Sequence, residues 1–167
     1  MADARRDTYT FRPIGIIHTS FEKQEGMPVQ GALAPETDGW IEVFQEYAAG
    51  LKDVEGFSHL IILYIFHRSQ GYHLLAKPFH EETQRGLFAI RSPRRPNPIG
   101  MTVVRLRRRK ENRLEISGVD MINGTPLLDI KPYIPAIDAH PEAIKGWTSG
   151  KITMDGSNIL SNKKYRV

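Results

Sequence analysis

The apolar residues of this chain come in short runs separated by polar, glycine- and proline-rich segments, and no long amphipathic helix is present. The pattern predicts strands at residues 9–17, 40–44, 57–66, 101–106, 114–119 and 127–133. The isoleucine-rich run at 57–66 is typical of a central strand covered on both faces. Many short strands with few helices favour an antiparallel barrel or sandwich over a doubly wound sheet. The prediction is a mainly β fold.

Local signals predict the connections between these strands. A charged turn at 110–112 indicates a hairpin, and Asn123-Gly124 marks a tight turn. Residues 92–98 contain three prolines, which lack a backbone donor and exclude a regular ladder strand there. Weaker signals predict one or two helical turns at 45–51, a short strand at 86–90, a short helix at 141–145 and a last hairpin at Asp155-Gly156.

The length of 167 residues suits one compact domain. We expect a single β-barrel domain over residues 1–167, with its core at about 8–140 and a C-terminal extension at 141–167. The longest apolar run, 59–66, is far shorter than the roughly 20 residues that span a bilayer, so no membrane partner is expected. The N-terminus lacks a signal-peptide pattern and cysteine is absent, which together predict a cytoplasmic protein.

The formal net charge is +4, and the distribution of the basic residues is more informative than their sum. They concentrate at Arg91, Arg94, Arg95, Arg105, Arg107, Arg108, Arg109, Lys110, Lys163, Lys164 and Arg166. A clustered positive surface attracts polyanions, and phosphate backbones are the commonest of these. The alternative is a solvated strand face and a charged tail with no partner.

Several common enzyme signatures are absent. The chain has no G-x-G-x-x-G after a strand, no Walker A motif and no G-x-S-x-G. It also lacks H-E-x-x-H and cysteine pairs, so no metal site is predicted. These absences give no support to Rossmann, P-loop, serine hydrolase or zinc chemistry.

Three segments combine rigidity with polar groups in a way that suits ligand binding. Residues 91–100 place arginines on a proline-stiffened loop, where guanidinium groups can grip a carboxylate or a phosphate. In residues 119–135, Gly124 lets a ligand approach the backbone, while Asp129 and Lys131 alternate with apolar residues and point to one strand face. Residues 26–30 end in Gln30, which offers donors and an acceptor.

Taken together, motifs from about residue 11 to residue 138 resemble the TsaA-like family of TrmO-type tRNA methyltransferases. The matching segments are 14–19 (IGIIHT), 26–30 (GMPVQ), 56–60 (GFSHL) leading to Phe66-His67, 88–93 (FAIRSP), 95–100 (RPNPIG), 124–126 (GTP) and 129–133 (DIKPY). The proline–arginine motif and the D-I-K-P-Y motif are highly specific in combination.

The resemblance implies a non-Rossmann β-barrel methyltransferase that binds S-adenosylmethionine, forms a homodimer and methylates N6 of threonylcarbamoyladenosine 37 beside the anticodon of a tRNA. It implies cofactor contacts at Pro28, Val29, Gln30, His67, Arg68, Arg91, Ile122, Asn123, Gly124 and Thr125. Some members have arginine where this chain has Val29, and aspartate where it has Asn123.

Methyl transfer to a delocalised N6 amine depends on alignment, desolvation and removal of a proton. Our hypothesis is that Asp129 or Asp120 takes or steers that proton, that Lys131 orients the acceptor, and that Asn97 belongs to the same catalytic set. Two other readings of the sequence stay open. One is a non-catalytic module that binds S-adenosylmethionine or RNA, and the other is a methyltransferase for a small molecule or a protein.

Overall fold

A computed structural model describes residues 7–78 and 81–149. Its strands are β1 (Gly15–Thr19), β2 (Asp38–Val43), β3 (His59–Ile65), β4 (Leu75–Ala76), β5 (Arg85–Gly86), β6 (Ile99–Lys110), β7 (Arg113–Ser117) and β8 (Thr125–Pro132). The only α-helix among the described residues is α1 (Pro135–Asp138). Single 3-10 segments lie at Gly31–Leu33, Gln45–Leu51, Val54–Gly56, Leu87–Ala89 and Gly146–Thr148.

Six of the strands form a closed antiparallel barrel in the order β1-β2-β7-β6-β3-β8, while β4 and β5 pair separately. The prediction of a mainly β, antiparallel fold is confirmed, and of its two alternatives the barrel is correct. Closure depends on the 12-residue β6, whose first half pairs with β3 and whose second half pairs with β7. Register shifts between Leu106 and Arg108 and between Leu63 and Tyr64 give the local bends that a small barrel needs.

The barrel interior is filled by alternate side chains of its strands. Ile17, Ile41, Leu60, Ile62 and Leu127 are fully buried there. Along β3, buried residues alternate with half-buried ones. The expectation that β3 is covered on both faces is therefore wrong for its outer face within the described residues, because in a small barrel only one face of each strand meets the core.

Three connections leave one end of the barrel, which we call the connection end. They are residues 20–37 between β1 and β2, residues 66–98 between β3 and β6, and residues 118–124 between β7 and β8. The opposite end carries residues 44–58 and the β6–β7 hairpin turn. Because neighbouring strands are antiparallel, segments that are far apart in sequence meet at the connection end.

The local predictions have mixed outcomes. The hairpin is confirmed, with Glu111 in its turn at a φ of 55°, and the helical segment at 45–51 is confirmed as 3-10 helix. The strand at 86–90 is wrong, because β5 ends at Gly86 and a 3-10 turn follows.

The helix predicted at 141–145 is also wrong. The chain forms α1 earlier, with Pro135 in its first turn and the Asp138 carboxylate accepting a 2.7 Å hydrogen bond from the Ile134 N–H. The predicted hairpin at Asp155-Gly156 lies outside the described residues. In the part of the chain that the structure describes, no helix has the length and apolar character needed to cross a membrane.

Candidate functional site

Asp120 is a buried carboxylate at the connection end, with 6% of the residue exposed. Its Oδ2 accepts a 2.8 Å hydrogen bond from the Gly31 N–H and a 3.3 Å hydrogen bond from the Thr102 hydroxyl. These contacts join the β1–β2 connection, β6 and the β7–β8 connection. A Cβ at Gly31 would lie 1.9 Å from the Gly118 carbonyl oxygen, so glycine permits the approach of the first and last of these segments.

The electrostatics around Asp120 are those of an under-solvated acid. Burial raises its pKa to about 6, and the hydrogen bonds from Gly31 and Thr102 oppose that rise only partly. Its Oδ1 has no hydrogen-bond partner among the described residues. The nearby Tyr64 is also buried, and burial followed by the Asp120 charge raises the pKa of its hydroxyl well above the ordinary value. At neutral pH, Asp120 is therefore mostly ionised, and the burial of its charge costs free energy of folding.

The predicted cofactor residues come from all three connections and meet at the connection end. The Arg91 guanidinium donates a 2.5 Å hydrogen bond to the Gln30 side-chain oxygen, across 61 residues of sequence. Arg68 donates to the Glu22 carbonyl oxygen at 2.7 Å, and the Asn123 amide donates to the Glu22 carboxylate at 2.9 Å. Glu22 thus bridges two predicted residues, although the sequence pattern had not singled it out.

The turn at residues 122–125 is held firmly while leaving its backbone accessible. The Asn123 N–H donates to the Phe21 carbonyl oxygen at 2.6 Å, and the Gly124 N–H donates to the Ile17 carbonyl oxygen at 3.0 Å. The buried Thr125 hydroxyl bonds the Ile122 carbonyl oxygen at 2.7 Å. Gly124 has a φ of 77° and open space where a Cβ would lie, which confirms the predicted tight turn.

The remaining predicted cofactor residues lie on the same connections. Pro28 is buried, Val29 is half-buried, and the Gln30 side-chain amide donates to the Val29 carbonyl oxygen at 2.8 Å. His67 is exposed directly after β3. Partial burial and then the Arg68 charge lower its pKa below the ordinary value, so its ring is neutral at pH 7.

The proline–arginine loop at 91–98 has no strand in it, as predicted, and is tied to its surroundings. The Ser69 hydroxyl donates to the Pro93 carbonyl oxygen at 3.0 Å, and the Phe66 N–H donates to the Pro98 carbonyl oxygen at 2.8 Å. Asn97 is exposed, and its carbonyl oxygen accepts a 2.7 Å hydrogen bond from the N–H of Ile99, the first residue of β6. The loop therefore presents Arg91 and Asn97 from a constrained backbone.

Asp129 and Lys131 lie away from this cluster. They share the outer face of β8, as the alternation predicted, and form a 2.7 Å ion pair with each other. Their strand partners on β3 are Leu63 and Ile61, which also face outward. Among the described residues, no hydrogen bond or ion pair links either of them to Asp120 or to the connection-end cluster.

Four contributors to the site were not predicted from the sequence. Glu22 and Gly31 are ordinary loop residues whose partners are distant in sequence. Tyr64 and Thr102 gave a detectable signal, because each is a polar side chain within an apolar stretch, at 60–66 and 101–104. The register explains their position, since Tyr64 pairs with Gly100 and Thr102 with Ile62, which places both side chains inside the barrel.

A separate cleft of about 680 Å³ lies on the outer face of β1, β2 and β7. Trp40 stacks on His18 at a centroid distance of 3.7 Å, and the Arg113 guanidinium covers its ring at 4.1 Å. Arg107 in the cleft pairs with Glu36 at 2.9 Å. The Trp40 ring is therefore covered on both sides, and Arg107 in the cleft is already ion-paired. Within residues 7–78 and 81–149, no group of three His, Asp or Glu side chains is arranged to hold a metal ion.

Comparison with known proteins gives consistent similarities. The family model described as the tRNA-methyltransferase O N-terminal domain matches residues 16–139. A probable S-adenosyl-L-methionine-binding protein of Pyrococcus abyssi is 50% identical over 137 residues, covering 82% of this chain and 74% of that protein. A tRNA (adenine(37)-N6)-methyltransferase of Escherichia coli K12 is 33% identical over 146 residues, covering 81% of this chain and 62% of that enzyme.

Solved structures agree with these sequence matches. A crystal structure of TrmO from Pseudomonas aeruginosa superimposes with a TM-score of 0.72 at 36% identity, covering 84% of this chain and 63% of that chain. The chain thus spans less than two-thirds of the solved TrmO chain and of the Escherichia coli enzyme.

The raised pKa of Asp120 predicts a specific pH dependence of stability. The folded state holds this proton more tightly than the unfolded chain, whose pKa is near 3.8, so the contribution to stability is complete below about pH 4 and is lost as pH rises through 6. The expected loss is about 3 kcal/mol. In urea unfolding between pH 4 and 7.5, Asp120→Asn should abolish this fall, while the exposed Asp53→Asn retains it. Equal pH slopes for Asp120→Asn and the wild type would contradict the assignment.

Proposed function

Because this chain belongs to the family of the tRNA-methyltransferase O N-terminal domain, we propose that it transfers a methyl group from S-adenosylmethionine to N6 of adenosine 37 in a tRNA. Relatives named as S-adenosyl-L-methionine-binding proteins and as tRNA (adenine(37)-N6)-methyltransferases support the donor and the acceptor. The observation that carries the proposal is the Arg91–Gln30 contact, which joins two of the predicted cofactor segments across the connection end.

The chemistry of the connection end fits S-adenosylmethionine. The Arg91 guanidinium, which donates one hydrogen bond to the Gln30 side-chain oxygen, is a charged donor suited to a carboxylate. The open backbone at Gly124 allows close approach of a ligand. The Asp120 and Glu22 carboxylates supply negative charge that suits an ammonium group or a sulfonium centre. When bound, S-adenosylmethionine supplies a reactive methyl group on a positively charged sulfur.

The protein must hold the adenine amine in line and accept its proton. We propose that Asp129 or Asp120 takes or steers this proton and that Lys131 orients the acceptor. The side chains of Asp129 and Lys131 are 41% and 58% exposed, so they can contact a docked RNA. This exposure supports Asp129 as the proton acceptor and Lys131 as the group that orients the adenine. Asp120 is buried beneath residues 30–31. It therefore acts on the reaction by holding that segment in place through its hydrogen bond with the Gly31 N–H. The exposed amide of Asn97 is proposed as a partner for the adenine base.

The proposed substrate in finer terms is threonylcarbamoyladenosine in the anticodon stem-loop. Arg107 and Arg109 are neutralised by ion pairs with Glu36 and Glu55. Arg105 and Arg108 on the same strand are exposed and have no ion pair among the described residues, which leaves positive charge for a phosphate backbone.

We place the reaction in the cytoplasm, and we propose that residues 1–167 act as one domain with a core at 8–140.

We also propose a homodimer. Because the barrel is closed, its strands offer no free edge for pairing with a second copy. The outer face of β3 and of the first half of β6 is apolar instead, with Ile61, Leu63 and Ile65 half-buried and Ile99 and Met101 exposed. This face carries no lysine or arginine before Arg105, so it suits a second copy better than an RNA. A two-fold axis would bring the same patch of both copies together.

A second candidate function is a non-catalytic S-adenosylmethionine-binding module. The similarity to the Pyrococcus abyssi protein, whose name mentions binding alone, favours this candidate. The two candidates agree on the cofactor and differ in turnover with tRNA.

Arg91→Ala should weaken S-adenosylmethionine binding because it removes a charged donor of the proposed carboxylate site. A charge-assisted hydrogen bond contributes about 1.5–3 kcal/mol, so the Kd in calorimetric titration should rise by roughly 10- to 100-fold. Arg94→Ala, an exposed arginine of the same loop that does not contact Gln30, is the matched control and should keep its affinity. Equal affinity of both variants would remove Arg91 from the cofactor site.

Asp129→Asn should slow methyl transfer without weakening cofactor binding, because it removes a proton acceptor and keeps the side-chain shape. The expected loss in kcat on threonylcarbamoylated tRNA at saturating S-adenosylmethionine is about 100-fold or more. Asp138→Asn, a carboxylate beyond β8 that bonds only the Ile134 backbone, should stay near wild type. Turnover of Asp129→Asn within twofold of wild type would rule out the proton role.

Met101→Glu should dissociate the proposed dimer, since it buries a charge in the apolar face. In sedimentation velocity, the wild type should run at twice the 19.0 kDa chain mass and the variant at the chain mass. Ile144→Glu changes an isoleucine that is 97% exposed elsewhere and should leave the dimer intact. A monomeric wild type would contradict the proposal.

A further inference from the structure

An exposed phenylalanine projects from the connection end beside the proposed cofactor site. Phe88 is 76% exposed, whereas its neighbour Leu87 is 1% exposed and anchors the 3-10 turn Leu87–Ala89. The Leu87 N–H also donates a 2.8 Å hydrogen bond to the Leu74 carbonyl oxygen. The turn is therefore fixed at its base and presents an aromatic ring to solvent.

Arg95 from the proline–arginine loop fixes this turn. Its Nη1 donates to the carbonyl oxygens of Leu87 and Ile90 at 3.3 and 2.9 Å, so it spans both ends of the turn. The same guanidinium lies 5.6 Å from the centroid of the Phe88 ring. A planar cation thus lies against a phenyl ring that remains largely exposed, an arrangement that leaves room for another planar group.

A second aromatic–guanidinium pair adjoins the same turn. The Trp147 indole N–H donates a 2.8 Å hydrogen bond to the Ala89 carbonyl oxygen, and the Arg85 guanidinium lies 5.4 Å from the indole centroid. We call Arg85, Phe88, Arg95 and Trp147 the aromatic–arginine platform. Because Phe88 is largely exposed, it contributes little to the packing of the core. Packing alone therefore does not explain why two aromatic–guanidinium pairs adjoin one short turn.

We propose that the aromatic–arginine platform stacks an unpaired nucleobase of the RNA that carries the methyl acceptor, an inference that rests on the proposed function. Bases splayed out of single-stranded loops stack on aromatic rings and on arginine planes. Phe88 precedes Arg91 by three residues, which span at most about 11 Å. A nucleotide that flanks the methylated base is therefore within reach of the platform.

The exposure and charge of the platform favour RNA over other ligands. A small-molecule site buries most of its ligand, whereas Phe88 projects from a turn and offers one open ring face. The acidic neighbours are neutralised, because Glu81 pairs with Arg85 and Glu82 pairs with Lys77. Arg94, which follows Phe88 in the same connection and is exposed, supplies positive charge for a phosphate next to a stacked base.

The test uses a fluorescently labelled synthetic anticodon stem-loop RNA and the full chain. Phe88→Ala should raise the Kd about tenfold, while Phe88→Tyr keeps the ring and should stay within twofold of wild type. Phe57→Ala is the matched control, because Phe57 is 39% exposed at the opposite end of the barrel. Stacking is not ionic, so Phe88→Ala should keep the salt slope of binding, whereas Arg94→Ala should reduce it by close to one phosphate contact.

A double-mutant cycle locates the stacked base. An abasic nucleotide is placed at each loop position in turn, and the effect of Phe88→Ala is measured on each RNA. The proposal expects that effect to disappear at one position, next to the methyl acceptor, and to persist at the others.

The outcomes separate the platform from the proposed function. If the wild type binds the RNA and Phe88→Ala binds equally well, the platform is wrong and the proposed function stands. If the wild type binds no RNA, both fall together. A loss of S-adenosylmethionine affinity in Phe88→Ala would assign the ring to the cofactor, and a change in sedimentation mass would assign it to a protein contact; either result overturns the proposal.

Discussion

The hydrogen bond from the Gly31 N–H to the buried Asp120 carboxylate is the contact on which the organisation of the connection end depends. It joins two connections that are 89 residues apart in sequence and places Gln30 where Arg91 can reach it. Burial of this carboxylate has a cost, which is visible in its raised pKa and in an Oδ1 that has no hydrogen-bond partner among the described residues. A buried, incompletely satisfied carboxylate weakens a fold, so its presence here is consistent with a binding role rather than a purely structural one.

Barrel topology explains why these residues meet. In a closed antiparallel barrel every second connection leaves the same end, so three connections with unrelated sequences share one surface. The strands contribute inward polar groups from Tyr64 and Thr102, and the connections contribute Gln30 and Arg91. The proposed cofactor contacts are thereby separated from the Asp129–Lys131 pair on the outer face of β8.

The sequence predicts where most strands lie because short apolar runs are bounded by polar turns, although along β3 the apolar run is continuous while burial alternates. It fails at residues 86–90, where an apolar run reads as a strand while Arg95, several residues downstream, holds the backbone in a 3-10 turn. It also places the last helix too late, although Pro135 was a usable start signal. The motifs single out Gln30, Arg91 and Gly124, which the structure places at the connection end, whereas the contacts of Glu22 and Gly31 join segments that are distant in sequence.

The most direct test of this account is the backbone amide NMR spectrum of the protein titrated with S-adenosylmethionine. We predict saturable shift changes in residues 29–31, 67–68, 91 and 120–125, with little change in the β6–β7 hairpin turn or in residues 44–58 at the opposite end. Binding that shifts the opposite end and leaves Gly31, Arg91 and Gly124 unchanged would contradict the account. A folded protein whose spectrum does not respond to S-adenosylmethionine would contradict it as well.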